Sequence, residues 1–410
     1  MSDLRHGIIP MSGRDPDEEH RAATPLELMF DLTFVVAFGI AADELAHYLA
    51  EDHIRVGVVG FCFATFGISW AWINFSWFSS AYDTDDWVHR LVTMVQMVGV
   101  LVFALGLADM FASLDGDYVE NGVMVAGYVV MRVAMTSQWL RAARQDPLRR
   151  AACLNYVFYV LLAQVGWIVL LIAKTSVLTM FVWAGLLILL EMAGPFIAEH
   201  RHPSTPWHAH HIAERYGLLV IVALGEGMIG TMASMSAIVG PHGEGWSVDF
   251  VLVGLAGVVL VFGLWWTYFV IPHGTILSRR RGRSWIWGYG HIPLFGAVVA
   301  VGAGLHVAAY YLEGESKLDA FATTMSVAIP VAIYVALLYL LYAHLSHSHD
   351  PFHWVLIAGS AVVLVAAVAL AAGGASLAVS LAVLSLTPWV TVVGYEAVGH
   401  RHNAQVLAEL

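Results

Sequence analysis

Long runs of apolar residues, separated by short polar loops, set the pattern of this chain. A helix needs about 20 mostly apolar residues to cross the hydrocarbon core of a bilayer, and twelve runs reach that length. Lipid offers no partners to open strand edges, so every run is predicted to be a helix. The predicted spans are residues 26–49, 55–80, 88–110, 118–141, 150–173, 176–198, 209–236, 248–271, 288–311, 319–344, 353–371 and 375–397. A Gly373-Gly374 turn would join the last two as a hairpin.

The composition agrees with this pattern. Of 410 residues, 59% are hydrophobic and 12% are charged, with a mean hydropathy of +0.72, whereas soluble domains carry about 25% charged residues. The sequence therefore predicts an all-α polytopic membrane protein. The formal charge of −12 is not typical of a nucleic-acid-binding protein. Cys62 and Cys153 both lie in apolar runs, which predicts two buried thiols and no disulfide.

The basic residues of the loops predict the orientation of the spans. Fourteen of them lie on the side of the N-terminus, against three on the other side, which are Arg55, Lys174 and Lys317. Both termini are therefore predicted to be cytoplasmic, and residues 1–24 form a cytoplasmic N-terminal tail.

Two stretches of the chain resemble each other. Residues 24–39 and 211–226 share a similar design, in which Glu27 matches Glu214. In addition, Phe66-Gly67-x-x-Trp70 recurs as Phe262-Gly263-x-x-Trp266. These matches predict two tandem repeats of six helices, related by an axis along the membrane normal; chance similarity among apolar helices is the alternative. The repeats would cover residues 25–200 and 201–410.

Ionisable side chains inside the spans are the candidates for function, because burying a charge in a membrane is costly unless it is paired or wet. They are Glu27, Asp31, Arg132, Glu191, His211, Glu214, Arg215 and Glu226. All except Glu226 gather in the predicted cytoplasmic half. These residues suit a polar cavity between the two predicted repeats. The cavity would be entered from the cytoplasm and hold a cation or a proton relay.

A purely structural role for these residues stays open. Arg132 would then neutralise Asp31 or Glu191, and Glu27 and Glu214 would cap helix N-termini, where negative charge is favoured.

His89 and His291 open the third and ninth predicted spans at matching positions of the two repeats. Together with Glu27 and Glu214 they form a donor set that suits a divalent transition metal. A proton or cation shared by the two glutamates at the repeat axis, assisted by the two histidines, is the alternative that needs no metal.

Three motifs carry a resemblance to a known family. They are Thr24-Pro-Leu-Glu-Leu-Met-Phe-Asp, His211-x-x-Glu-Arg-Tyr-Gly-Leu-Leu and Tyr82-Asp-Thr-Asp-Asp-Trp-Val-His-Arg-Leu. With them the chain resembles the bacterial low temperature requirement A (LtrA) family over nearly its whole length. The resemblance implies a multi-pass protein of the bacterial cytoplasmic membrane that is tied to growth in the cold. It implies no mechanism.

The leading functional hypothesis is ion- or proton-coupled transport of a small solute, with carboxylates as the proton or cation acceptors. The alternatives are an intramembrane metal-dependent enzyme acting on a lipid or isoprenoid, and a non-catalytic protein that organises the cell envelope. The chain has no phosphate-binding loop, nucleophile elbow or CxxC pair.

The partners expected are the lipid bilayer and a small solute or cation, and further copies of the chain stay open. A basic cluster on the predicted cytoplasmic side also suits the headgroups of anionic lipids, although ordinary topology control explains it equally well. It consists of Arg279, Arg280, Arg281 and Arg283.

Overall fold

A computed structural model describes residues 7–19, 21–239, 248–347 and 350–409. The described residues form α-helices and no β-strand, apart from an isolated antiparallel bridge between Tyr118 and Ser176. Of the predicted N-terminal tail, residues 1–6 and residue 20 lie outside the described ranges.

The helices follow the predicted runs closely. The first seven are α1 Pro25–Ala50, α2 Ile54–Tyr82, α3 Trp87–Leu105, α4 Leu107–Ala112, α5 Gly122–Gln145, α6 Arg150–Ala173 and α7 Val177–Arg201. The remaining nine are α8 Ala209–Val239, α9 Val248–Phe269, α10 His273–Arg279, α11 Ser284–Glu313, α12 Ala320–Ser346, α13 Pro351–Ala372, α14 Leu377–Leu384, α15 Thr387–Gly394 and α16 His400–Glu409. A 3-10 turn, Arg281–Arg283, precedes α11, and a π-helical turn, Tyr395–Gly399, joins α15 to α16.

Within the described residues, twelve helical segments are long and apolar enough to cross a membrane, which confirms the predicted number of spans. The short helices α4, α10 and α14–α16 belong to such segments. The orientation of the termini stays a prediction.

Several predicted spans differ in detail from the structure, and two of them show why. The fourth begins at Gly122 rather than at residue 118, because Tyr118 lies in the bridge with Ser176. The twelfth is interrupted after Leu384 and resumes with Pro388 in the first turn of α15. Proline has no backbone N–H to donate, so it is favoured in the first turn of a helix, although Pro195, Pro293 and Pro330 lie inside α7, α11 and α12.

The two cysteines are free, as predicted. Cys153 is buried, but Cys62 is exposed, so the prediction that both are buried is wrong for Cys62. A helix face that meets lipid is as apolar as one that meets protein, and an apolar run therefore does not distinguish them.

The described chain divides into two compact units. The first consists of the described residues up to Ile40 together with Gly67–Arg215, and the second of Ala41–Phe66 together with the described residues from Tyr216 onward. The boundaries fall inside α1, α2 and α8. The two six-helix repeats stay a prediction.

In the first unit, α3 and α5 approach each other closely because small residues face the contact. A β-carbon added to Gly127 would lie 2.2 Å from the backbone nitrogen of Phe103, and one added to Gly99 would lie 2.9 Å from the carbonyl oxygen of Gly127. Such contacts let helix backbones approach in a membrane. They bring His89 of α3 and Gln138 of α5 together, as described below.

Residues 7–19 and 21–24, predicted only as a tail, form an irregular strap that packs on the rest of the first unit. Met11 is fully buried. Several hydrogen bonds hold the strap, among them Ile9 N–H to Asp86 Oδ2 (3.1 Å), Met11 N–H to Gln145 Oε1 (2.7 Å), Arg14 N–H to the Ala81 carbonyl (2.9 Å), and His208 Nε2 to the Glu18 carbonyl (2.9 Å). The strap is thus attached to the ends of α2, α3 and α5 and to the residue that precedes α8.

Asp86 anchors the strap to the start of α3. Its carboxylate accepts hydrogen bonds from the backbone N–H groups of His89 (2.8 Å) and Ile9 (3.1 Å), and it pairs with Arg141. Burial alone would raise the pKa of the Asp86 carboxyl, but the hydrogen bonds from Arg141, His89 and Ile9 outweigh this and lower the pKa to about 2.

Acid should therefore weaken this anchor. The pKa of folded Asp86 lies below its ordinary value of 3.8, so its ionised form stabilises the fold above about pH 4, and this contribution is lost as the pH falls towards 2. We expect the melting temperature in detergent to fall across that window. Asp86→Asn should lower the melting temperature at neutral pH and remove this part of the pH dependence. Asp85→Asn, at an exposed neighbour, is the control; equal profiles for both variants would contradict the anchoring role.

Candidate functional site

The first turn of α1 holds Glu27 in a capping box with Thr24. The Thr24 N–H donates to Oε2 of Glu27 at 2.7 Å, and the Glu27 N–H donates to Oγ1 of Thr24 at 3.3 Å. Threonine followed three residues later by glutamate favours this reciprocal pair at a helix start. The capping role considered for Glu27 is therefore present.

Glu27 also belongs to a buried cluster of polar side chains. Oγ of Ser79 donates to its Oε1 at 2.5 Å, Nε2 of His211 lies 3.2 Å from its Oε2, and Nη2 of Arg21 lies 3.7 Å from its Oε1. The three ionisable side chains are each 3% exposed or less. A helix cap requires none of these contacts, so capping does not account for the surroundings of Glu27.

Asp31, one turn further along α1, forms a second layer. Nη2 of Arg215 and Nε1 of Trp72 donate to its Oδ1 at 2.7 and 2.6 Å. The Arg215 guanidinium carbon also lies 5.6 Å from the centroid of the Trp72 ring. The two acids are four residues apart on α1, as are His211 and Arg215 on α8, so opposite groups meet in successive turns. We call Glu27, Asp31, His211 and Arg215 the α1–α8 site.

Several polar atoms of the α1–α8 site are buried without a hydrogen-bond partner among the described residues. They are Oδ2 of Asp31, Nδ1 of His211, and Nε and Nη1 of Arg215. Buried polar atoms of this kind are normally paired with ordered water or a ligand. The free N–H groups of a guanidinium suit an anionic or carbonyl oxygen. The site is therefore suited to bind water or a small polar solute.

A second branch of the cluster leads from Arg21 to His89. Nη2 of Arg21 lies 3.4 Å from Oδ2 of Asp83, and Nε2 of His89 lies 3.4 Å from Oδ1 of Asp83. Nε2 of Gln138 lies 3.1 Å from Nδ1 of His89. Because an amide nitrogen donates, Nδ1 of His89 accepts and the ring proton lies on Nε2, towards Asp83. His89 is thus part of a chain of acidic and basic groups.

Arg132 and Glu191 form a separate buried ion pair in the first unit. Nη2 of Arg132 lies 3.1 Å from Oε2 of Glu191. The hydroxyl of Tyr128 and Nε1 of Trp70 donate to the same oxygen at 2.6 and 2.7 Å, and Nε1 of Trp167 donates to Oε1 at 2.7 Å. The neutralisation predicted for Arg132 is confirmed, with the acid of α7 as its partner. Both carboxylate oxygens of Glu191 are therefore paired within the protein, as in a structural ion pair.

Glu214 has a different environment from Glu27. It is exposed on α8 and takes no part in the contacts of Glu27 described above. In the His211-x-x-Glu214 pair, the histidine is the residue that meets Glu27. The geometry therefore does not support a proton shared directly by the two glutamates.

Glu226 is buried in the second unit, where α8 meets α11. A β-carbon added to Gly302 would lie 2.6 Å from the backbone carbonyl carbon of Glu226, and one added to Gly230 would lie 2.5 Å from the carbonyl oxygen of Gly302. In the same unit, Nδ1 of His306 lies 3.3 Å from Oδ1 of Asp43. Glu226 is therefore not part of the α1–α8 site, whose four residues lie in the first unit.

His291 also lies in the second unit, among aromatic rings. Its Nδ1 lies 2.7 Å from the carbonyl oxygen of Trp287, so this nitrogen carries the proton, and its Nε2 accepts from the Tyr268 hydroxyl at 3.0 Å. In the part of the chain that the structure describes, no group of three or more His, Cys, Asp or Glu side chains is placed to hold a metal ion. The metal role predicted for His89 and His291 therefore rests on their residue types alone.

Four residues of the network are not among the candidates that the sequence predicts, namely Arg21, Trp72, Ser79 and Asp83. Arg21 and Asp83 lie just outside the spans, and a search for charges inside spans misses them. Residues 82–91 had been singled out as a motif and include Asp83, so this motif was the available signal. No comparable signal marks a serine or a tryptophan in an apolar helix.

Twelve apolar helices and a buried network of acidic and basic side chains define a multi-pass membrane protein. Residues 22–388 match the family described as bacterial low temperature requirement A protein (LtrA), and the chain belongs to this family. It is similar to an uncharacterized protein of Rhizobium meliloti (strain 1021), with 26% identity over 322 residues that cover 73% of each chain. No solved structure matches the chain.

Proposed function

We propose that this protein is a secondary transporter that couples the movement of a small solute to protons or cations, and that the α1–α8 site takes up the coupling ion. The main support is the site itself, where two carboxylates on successive turns of α1 meet a histidine and an arginine on successive turns of α8. Intramembrane ionisable groups of this kind mark ion and proton pathways in membrane proteins.

The charge balance of the cluster favours uptake of one positive charge. Three carboxylates, Glu27, Asp31 and Asp83, face two guanidiniums, Arg21 and Arg215. With neutral histidines the sum is three negative and two positive charges, or −1. One proton or one monovalent cation makes the cluster neutral. His211, in contact with Glu27, is the group best suited to pass a proton, because histidine exchanges protons near neutral pH.

The test compares two glutamates on the helices that form the site. Glu27→Gln removes the negative charge inside the cluster, and Glu214→Gln removes the same charge from an exposed position. In proteoliposomes with a trapped pH-sensitive dye, we expect an imposed potassium diffusion potential to drive proton entry through the protein. Glu27→Gln should abolish this flux and the growth of a deletion strain in the cold, whereas Glu214→Gln should preserve both.

The amount of protein in the membrane and its melting temperature show whether each variant folds. Proton entry that is equal in wild type, Glu27→Gln and protein-free liposomes would refute a proton pathway through the α1–α8 site. Normal flux and growth with Glu27→Gln would leave this residue with its capping role alone.

We further propose that the protein lies in the bacterial cytoplasmic membrane with both termini inside. In a variant with Cys62 and Cys153 replaced by alanine, a cysteine at exposed Arg144 should react only with a reagent that reaches the cytoplasm. A cysteine at exposed Gly116 should react with an impermeant reagent added outside. Labelling of both positions from one side would contradict this orientation.

A further inference from the structure

The second unit contains a pocket lined mainly by aromatic and aliphatic side chains. Its empty space is about 500 Å³, part of which is open to the surroundings. The end of α9, the end of α12, the start of α13 and the chain from α15 to α16 form its walls. The residues that define its character are Tyr339, Tyr342, Phe352, His353, Tyr395 and Asn403.

The imidazole of His353 is a polar group of this pocket that is left available. The hydroxyl of Tyr339 lies 2.9 Å from Oγ1 of Thr391, and the hydroxyl of Tyr342 donates to Oδ1 of Asn403 at 3.2 Å. The ring of His353 contacts the rings of both tyrosines, with centroids 5.5 and 5.2 Å away. Its nitrogens make no hydrogen bond among the described residues. The imidazole can therefore bond a ligand in otherwise apolar surroundings.

The wall formed by Tyr395–Gly399 is a π-helical turn. Such turns are rare and occur frequently at functional sites. Here the turn places both Tyr395 and Gly399 on the pocket. The pocket thus has a local distortion of the kind that serves ligand binding.

Guanidinium groups are fixed to the ends of the helices that form this pocket. Nη1 of Arg279 donates to the carbonyl oxygen of Leu407 at 2.9 Å, one helical turn beyond Asn403. Arg283 donates to the carbonyl oxygen of His344, two residues beyond Tyr342. The positively charged side chains of Arg279 and Arg283 therefore bind the ends of two helices that also supply aromatic and polar residues to the pocket.

We propose that this pocket binds an anionic phospholipid. An acyl chain would lie among the aromatic and aliphatic side chains, and the phosphate would pair with the basic segment Arg279–Arg283, since guanidiniums bind phosphate oxygens through paired hydrogen bonds. His353 would bond a glycerol ester or a headgroup hydroxyl. Apolar lining and positive charge at one place fit this class of ligand better than a free anion or a neutral lipid. The proposal does not depend on the transport function.

The test uses the full-length protein in mixed micelles that contain equal amounts of phosphatidylglycerol and phosphatidylcholine with identical acyl chains. Native mass spectrometry counts the lipid that stays bound. We expect several-fold more phosphatidylglycerol than phosphatidylcholine on the wild type. Arg280→Gln with Arg281→Gln should remove most of this preference, because it removes two of the four positive charges of the basic segment. Val270→Trp, which fills the pocket, should lower the retention of both lipids.

Arg150→Gln is the matched control, since it removes an exposed positive charge from the first unit. It should leave the preference unchanged, and equal melting temperatures establish that the variants fold. Equal retention of the two lipids by the wild type, or unchanged retention by Val270→Trp, would overturn the proposal. Inorganic phosphate that displaces phosphatidylglycerol at millimolar concentration would show a phosphate site and no lipid site.

Discussion

Replacing Arg132 by methionine should lower the stability of the detergent-solubilised protein by about 3–5 kcal/mol, because it leaves Glu191 buried without its counter-charge. The side chains of both residues are almost fully buried, at 2% and 4% exposure. Methionine keeps much of the volume of arginine, so the loss reports the charge more than a cavity. Melting temperature and membrane yield measure the effect.

The double variant Arg132→Met, Glu191→Gln should recover much of this loss. Glutamine is neutral, and its carbonyl oxygen still accepts from Tyr128 or Trp70. Arg132→Met with Asp31→Asn is the control, and it should be worse than the single variant because Asp31 pairs with Arg215. Recovery by the control, or none by the first double variant, would show that Glu191 is not the partner.

Asp31→Asn should also lower the stability, by up to about 3–5 kcal/mol, because it removes the hydrogen-bonded counter-charge of the buried Arg215 guanidinium. The chain offers a control of the same chemistry at its surface. Asp85 binds Arg90 through two hydrogen bonds of 2.9 and 2.7 Å, with both side chains well exposed. Because surface pairs contribute less than about 1 kcal/mol, Asp85→Asn should change the melting temperature little.

Function separates the two roles that Asp31 can have. The double variant Asp31→Asn, Arg215→Gln removes both charges of the pair and should restore the fold. If the pair were purely structural, cells with this double variant would grow normally in the cold. We expect growth to stay defective in this double variant, since the coupling ion loses one of its carboxylates. Normal growth would assign Asp31 to structure alone.

The positions of the helices could be predicted because membrane crossing is a property of one segment at a time. A run such as Ala209–Val239 must hide its backbone from lipid whatever its neighbours are. The break in the last span was not predicted. There the helix ends at Leu384, and a new helix begins with Pro388 in its first turn.

The contacts of the site were harder to predict, because they depend on which helices are neighbours. Glu27 was matched with Glu214 by similarity along the chain, whereas a contact requires opposite charges on facing helices. The two acids on α1 are four residues apart, as are His211 and Arg215 on α8, and this equal spacing is compatible with pairing between the two helices. Without a known neighbour for α1, the spacing alone did not identify the partner.

The strap of residues 7–19 and 21–24 has a consequence for the order in which the protein matures. Its residue Glu18 contacts His208, and these two residues are 190 positions apart in the chain. Six of the membrane-spanning segments lie between them, so a ribosome completes all six before this contact can form. The contacts of the strap with Ala81, Asp86 and Gln145 can form earlier, so the contact with His208 completes its docking last. A bulky fusion placed directly before the strap should interfere with this late docking step and leave the insertion of the spans intact.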